Sequence, residues 1–377
     1  MTAIRSKKAL ANLLAVGLLA AFSCACGWDN DTLAAESKGL PDLLDALVGR
    51  VPIYPKEYYE FRANRSSQIV KQDPTNLDEL DNLIVAYDKL GDSKHAFFYA
   101  DLKRKALLLT PNKEHEYRYY ANLGTIEAHT WVRNKNYSDK TLLDRSIKNL
   151  KKCIEINPNA HFGREIVQVK LVELMREAKN IEEFPNEASQ NDHLFENWDA
   201  WVTFVKATGA EKVQKGIVGI MTLGSGPDSP DLLCAVLPSL PKGAGHLVQL
   251  SEKRITDLWK SKPMFAGIGY RSNFHRPAEP KLFEKEYAAL AENTKLYREK
   301  LSEFIKSKVS QGKHPDVDPH FWDDWKEPDH VNLKAMEPMF TRIQIMTAQV
   351  LACPALLIAL AITTFVVMRR RRLNKSL

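Results

Sequence analysis

Residues 113–158 read KEHEYRYYANLGTIEAHTWVRNKNYSDKTLLDRSIKNLKKCIEINP, two apolar-patterned stretches parted by a polar run and closed by Asn-Pro. Tyr120, Leu123 and Gly124 in the first stretch, and Ser146, Leu150 and Cys153 in the second, recur at three- to four-residue spacing, the period of one face of a helix. The run at 132–141 (VRNKNYSDKT) carries no such period and is expected to form an extended loop. Pro158 ends the second helix, because proline lacks an N–H and disfavours helical geometry in the residue before it.

The same punctuation recurs upstream. Gln72-Asp73-Pro74-Thr75-Asn76, Leu109-Thr110-Pro111-Asn112 and Ile156-Asn157-Pro158-Asn159 each end one amphipathic stretch and precede another. Strand patterns are scarce between 56 and 180, so this part is expected to be a series of helical hairpins. Its spacing resembles the tetratricopeptide repeat, a helix-turn-helix unit of about 34 residues. Tyr120-x-x-Leu123-Gly124 is similar to the start of that family's first helix, and Ser146, Leu150, Cys153 and Pro158 to its second. The preceding unit runs through Leu80, Leu83, Ile84, Tyr87, Leu90-Gly91-Asp92, Ala96, Ala106 and Pro111, with a second helix about one turn longer than the family's. Residues 58–74 resemble a lone second helix and 161–179 a further first helix.

Each hairpin of such an array leaves an apolar face that only its neighbour covers. Leu80, Leu83, Ile84, Tyr87, Leu123, Leu150 and Cys153 are therefore expected in the core. The resemblance implies a concave side lined by first helices, with Asp78, Asp81 and Asn82 on one exposed stripe and Arg118, Asn122 and Thr125 on the next. Members that hold a peptide's terminal carboxylate use Lys, Arg and Asn there, whereas here Asp78 and Asp81 stand where positive charge is wanted. The expected partner-binding groove is thus Asp78, Asp81, Asn82, Arg118 and Asn122, for a protein or peptide.

Beyond Pro185 the repeat pattern fades, and residues 190–330 are expected to form a second helical region. Helices are expected at 197–208, 246–261 and 280–310, and Gly224-Ser225-Gly226-Pro227-Asp228-Ser229-Pro230 is a turn. Residues 216–220 (GIVGI) read equally as helix or strand.

The two ends carry sorting signals. Arg5, Lys7 and Lys8, the apolar stretch 9–22 and the small residues Ser23, Cys24, Ala25 and Cys26 have the order of a bacterial export signal over residues 1–26. Cys24 and Cys26 stand in loose lipobox contexts and are candidate lipidation sites, although Ser23-Cys24-Ala25 equally suits ordinary cleavage. Residues 343–368 contain no ionised side chain and are followed by four arginines, the pattern of one transmembrane helix with a short cytoplasmic tail at 369–377. Residues 27–55 are expected to be a linker. The expected architecture is all-α: a tetratricopeptide-like array, a second helical region and one C-terminal transmembrane helix. Its expected location is the bacterial cytoplasmic membrane, with the main domain outside the cytoplasm.

Charge agrees with this layout. The net +6 of the 377 residues is smaller than the basic contribution of Arg5, Lys7, Lys8, Arg369, Arg370, Arg371, Arg372 and Lys375, so the part between is slightly acidic. That argues against nucleic acid as a partner. Five cysteines, three of them (Cys24, Cys26 and Cys353) in or beside the apolar ends, do not make a disulfide framework, and Cys153 and Cys234 read as buried thiols.

No motif requires catalysis, a cofactor or a metal. Gly224-Ser225-Gly226 lacks both the Lys-Ser/Thr of a phosphate loop and the spacing of a nucleophile elbow. His314, Asp316, Asp318, His320, Asp323, Asp324, Asp329 and His330 are rich in potential ligands. They lack the glycine and closing glutamate of a calcium loop and the i, i+4 histidines of a zinc helix. An exposed linker toward the membrane is the simpler reading, with Phe321-Trp322-Asp323-Asp324-Trp325 docking back on the helical domain. The expected function is a non-catalytic, membrane-tethered scaffold or peptide-binding module. The competing expectations are a hydrolase or metal-dependent enzyme housed in residues 190–330, and a structural subunit of a membrane complex.

Overall fold

The computed structural model describes residues 27–38, 42–158, 163–179, 196–224, 226–241, 243–269 and 280–331. Among these, thirteen α-helices and one short 3-10 turn account for the regular structure, and there is no strand. The helices are α1 (Asn30–Lys38), α2 (Leu43–Val48), α3 (Lys56–Gln72), α4 (Leu77–Lys89), α5 (Ser93–Leu109), α6 (Lys113–Asn134), α7 (Thr141–Ile156), α8 (Arg164–Glu177), α9 (Trp198–Thr208), α10 (Ala210–Leu223), α11 (Pro230–Val236), α12 (Gly245–Trp259) and α13 (Pro280–Ser310). Residues 216–220, open in the sequence, are helical within α10.

The hairpin breaks work because they stop one helix and cap the next. Asn76 accepts the N–H of Glu79 at 3.1 Å to start α4, Asp92 that of His95 at 3.0 Å to start α5, and Asn112 that of His115 at 3.1 Å to start α6. Each satisfies an N–H that the first helical turn leaves free. The expected loop at 132–141 is shorter than its polarity suggests. Helix α6 continues to Asn134, and Lys135 ends it in the left-handed region at φ 55°.

Helices α3 to α8 pack each on the next, and α4 also touches α6, so first helices stack on first helices. Gly124 lets α6 approach α7 closely: a Cβ there would stand 2.7 Å from Leu150 Cγ. Leu80, Leu83, Ile84, Leu150 and Cys153 are fully buried, as expected, and Tyr87 and Leu123 partly so. Helix α8 packs on α10, α12 on α11 and α2, and α13 on α2 and α3. One core cluster joins the array to the later helices, from Leu143, Leu150 and Val172 to Ile217, Leu233 and Phe265. The described residues up to Pro328 belong to one compact unit.

Two segments expected as linkers are instead folded. In 27–55, Trp28, Ala46, Leu47 and Val51 are fully buried: α2 supplies Ala46 and Leu47 to the common core, and Trp28 packs with Tyr117, Ala121 and Cys153. In 314–330, His314 and Phe321 are fully buried, and Phe321 packs with Tyr58, Tyr297, Leu301 and Ile305. The aromatic segment does dock on the helices, with Trp322 stacked on Phe304.

No helix among the described residues is long and apolar enough to cross a membrane. The export signal at 1–26 with Cys24 and Cys26, and the apolar stretch at 343–368 with its basic tail, lie outside the described residues.

Candidate functional site

Helices α4 and α6 carry the stripe expected to be exposed, and it is largely covered. The chain's own residues 27–33 lie across it. Asn122 Oδ1 accepts the Trp28 N–H, and its Nδ2 donates to the Trp28 carbonyl at 3.2 Å and to Asp81 Oδ1 at 2.9 Å. Asn82 Oδ1 accepts the N–H of Asn30, the first residue of α1, at 3.1 Å. Both side chains therefore bind backbone, which is a sequence-independent form of recognition. Asp81, Asn82 and Asn122 are at most 2% exposed, contrary to the exposed stripe expected.

The missing positive charge is supplied from α5. Lys103 of α5 ion-pairs with Asp81, and His115 Nδ1 of α6 stands 3.4 Å from the same carboxylate. Burial pulls the Lys103 ammonium below its ordinary pKa, and Asp81 opposes that pull. Asp78 stays at the rim, 3.2 Å from Arg118.

Trp28 fills the floor of the groove. Its ring meets Tyr117 edge-on at 5.7 Å, the Arg164 guanidinium lies 4.6 Å over it, and Ala121 and Cys153 complete the apolar lining. Burial pushes the Cys153 thiol well up, so it acts as an apolar wall rather than a nucleophile. Gly27 passes so close to α4 that a Cβ would stand 2.5 Å from Val85 Cγ2.

Next to the indole lies a buried charge cluster centred on Arg62 of α3, itself fully buried. Its Nη1 donates to Asp29 at 2.8 Å and to Asp31 at 2.7 Å, and its Nε and Nη2 bond both oxygens of Asp316 at 2.8 Å. The Tyr58 hydroxyl donates to Asp31 at 2.6 Å. Burial, and then the neighbouring Asp31, push the Asp29 carboxyl up to about 6 against the pull of Arg62. Asp316 is held well below the ordinary range: burial opposes ionisation, but the bonds from His314 and Arg62 outweigh it. The His314 ring is stacked on Phe61 at 4.9 Å and tilted against Tyr58 at 4.2 Å.

Sequence reasoning missed Trp28, Asp29, Asp31 and Arg62, and read His314 and Asp316 as part of an exposed linker, whereas both side chains are buried. One signal for Arg62 was present: Tyr58, Arg62, Ser66 and Val70 form an i, i+4 stripe on the buried side of α3, where an unpaired arginine would be prohibitive. The ligand-rich run 314–330 is divided by the fold. His314 and Asp316 turn inward to Arg62, while His320 stays exposed, 2.9 Å from Asp323. Among the described residues, no group of three or more His, Cys, Asp or Glu is placed to hold a metal.

In the later helices, Asp228 of the glycine-proline turn accepts from Arg254 at 2.6 Å and from Arg298 at 2.9 Å. Arg254 also donates to the Ala46 and Leu47 carbonyls, and Arg298 to that of Gly49, so both arginines close the C-terminal end of α2. Gly49, at φ +82°, is required there, since a Cβ would collide with the Arg254 guanidinium. A cavity of about 370 Å³ borders this centre, but Asp228, Arg254 and Arg298 bond one another or the backbone. The arrangement is a helix cap. Compared with protein-family models, with curated proteins and with solved structures, the chain matches none.

Proposed function

We propose that this protein is a membrane-tethered, extracytoplasmic and non-catalytic scaffold whose tetratricopeptide-like array holds peptide segments. One observation carries the reading: Asn82 and Asn122, on two successive first helices, present side-chain amides that bond the backbone of a segment laid across the concave face. Bonds to the backbone fix the position and register of a held segment, and leave selection among segments to the pockets for its side chains. The export-signal order of residues 1–26 and the uncharged stretch at 343–368 with its arginines support the tether and the side of the membrane. Removal of the signal and lipidation at Cys24 or Cys26 belong to the same reading.

The test is crosslinking in intact membranes followed by mass spectrometry of the crosslinked species. Reproducible crosslinks from exported residues to a discrete protein support the scaffold. Capture of metal or of an activity-based probe by the same protein, without such crosslinks, overturns it in favour of an enzyme. Labelling by a palmitate analogue that is lost on replacing Cys24 and Cys26 decides lipidation.

A further inference from the structure

Residues 27–31 are bound by the rest of the chain as a ligand would be, and their contacts define a recognition chemistry. Each position meets a different kind of partner. Gly27 passes Val85 with no room for a side chain, and Trp28 is enclosed by Tyr117, Cys153 and Arg164. Asp29 and Asp31 both bond Arg62, while Asn30 between them gives its N–H to Asn82. The two acids belong to the start of α1, where Asp29 also accepts the Thr32 N–H at 3.0 Å. Their charge suits that helix end as well as Arg62.

We infer that the concave groove is a specific receptor for acidic segments of the form Trp-Asp-x-Asp leading into a helix, that residues 27–31 are its resident occupant, and that a partner protein binds there by presenting the same chemistry. The inference rests on the peptide-holding reading above and adds to it the class of segment held. Selectivity is divided between the amides of Asn82 and Asn122, which fix the backbone, and two side-chain pockets. The indole pocket excludes small residues by leaving a void. Arg62 already gives Nε and one Nη2 bond to Asp316, and its remaining Nη1 and Nη2 donors are those that bond the carboxylates of the occupant, Asp29 and Asp31.

The resident segment also sets the threshold for a partner. A segment joined by a short linker acts at an effective concentration of about 1 mM, so a free segment with equal contacts at about 1 μM fills the groove of roughly one molecule in a thousand. A partner therefore gains the site when residues 27–31 are displaced or weakened.

The test uses the full-length protein in detergent and a fluorescent peptide of residues 27–38 (GWDNDTLAAESK) read by anisotropy. The receptor is a full-length Trp28→Ala, Asp29→Asn, Asp31→Asn variant, with groove and Arg62 otherwise intact. It is expected to bind the peptide at least tenfold more tightly than the wild type does. Replacing Trp by Ala in the peptide, or Asn122→Ala in the receptor, is expected to weaken binding at least tenfold. With an added thiol oxidant to take up the two electrons, a peptide beginning with Cys in place of Gly27 is expected to form a disulfide with Val85→Cys in that receptor, which places it in the groove. Should the triple variant melt below the assay temperature, Trp28→Ala alone serves as receptor, since it leaves the Arg62 pairs in place.

Equal binding to wild type and vacated receptor, or equal binding of the Trp-less peptide, overturns the inference. So does a wild-type dimer in which one copy's segment fills the other's groove. Membrane crosslinks that map only to the exposed Phe98, Leu108 and Leu109 of α5 overturn this groove inference while leaving the tethered scaffold standing.

Discussion

Arg62 and Asp316, 254 residues apart in the chain, face each other through two bonds of 2.8 Å, Nε to Oδ2 and Nη2 to Oδ1. The same guanidinium holds Asp29 and Asp31, so a single side chain joins the first described residues to the segment that follows the last described helix.

Removing Arg62 leaves three carboxylates without their common partner. Arg62→Met is expected to destabilise the fold by about 3–5 kcal/mol, the usual cost of breaking a buried pair from one side. Arg62→Lys restores charge but not the forked geometry, and is expected to recover only part of the loss. Urea unfolding midpoints check both. Limited proteolysis should show the 27–38 segment becoming cleavable before the helices do.

Asn122 serves Trp28 on both backbone groups and Asp81 as well. Asn122→Ala strands these buried partners and is expected to cost about 1–3 kcal/mol. Asn122→Asp keeps an acceptor for the Trp28 N–H but loses the donor and sets a second negative charge against Asp81. The aspartate variant is therefore expected to be less stable than the alanine one, a rank order that thermal melts read directly.

Gly124→Ala puts a methyl 2.7 Å from Leu150 Cγ and 3.1 Å from the Ser146 carbonyl. Backbone on one side limits relaxation, and overpacking of this kind costs about 1–3 kcal/mol. Pairing it with Leu150→Ala should return part of the loss. A double-mutant cycle with no coupling would show that α6 and α7 do not meet here.

The pH dependence between about 4 and 6 should run opposite to ordinary acid denaturation. Burial pushes the Asp231 carboxyl up from 3.8 to about 6, against the N–H bonds from Phe265 and Ala266. The folded state thus holds the proton more tightly than the unfolded one. This contribution is fully present below 3.8 and lost as pH rises through 6. It amounts to about 3 kcal/mol at 1.36 kcal/mol per unit. Asp29 has the same sign, so Asp231→Asn should remove only part of the slope. Asp88, Asp228 and Asp316 are shifted down, and their stabilisation is lost as pH falls below 3.8, outside this window. Urea midpoints at pH 4.5 and 6.5 for wild type and variant measure the difference.

Most helices were legible because their signals are local. The caps Asn76, Asp92 and Asn112 act within three residues, and the apolar period needs no knowledge of the partner. The span 280–310 agrees with α13 to the residue. The groove was half legible: Asp81, Asn82 and Asn122 are where a first-helix stripe puts them, but nothing local says what covers them.

The sequence by itself determined that the described part is all-helical, where its breaks fall, and most of its buried apolar positions, since propensity, capping and amphipathic period act within a turn or two of helix. Only the tertiary structure decided that residues 27–38 and 314–328 are parts of the fold rather than linkers. Their polar residues are stable inside because Arg62, Asn82 and Asn122 meet them there. Whether a charge lies in water or in a buried pair depends on groups far away in sequence. The Trp28–Asn122 and Arg62–Asp316 pairings are long-range facts of that kind, and they turn an apparently open groove into an occupied one.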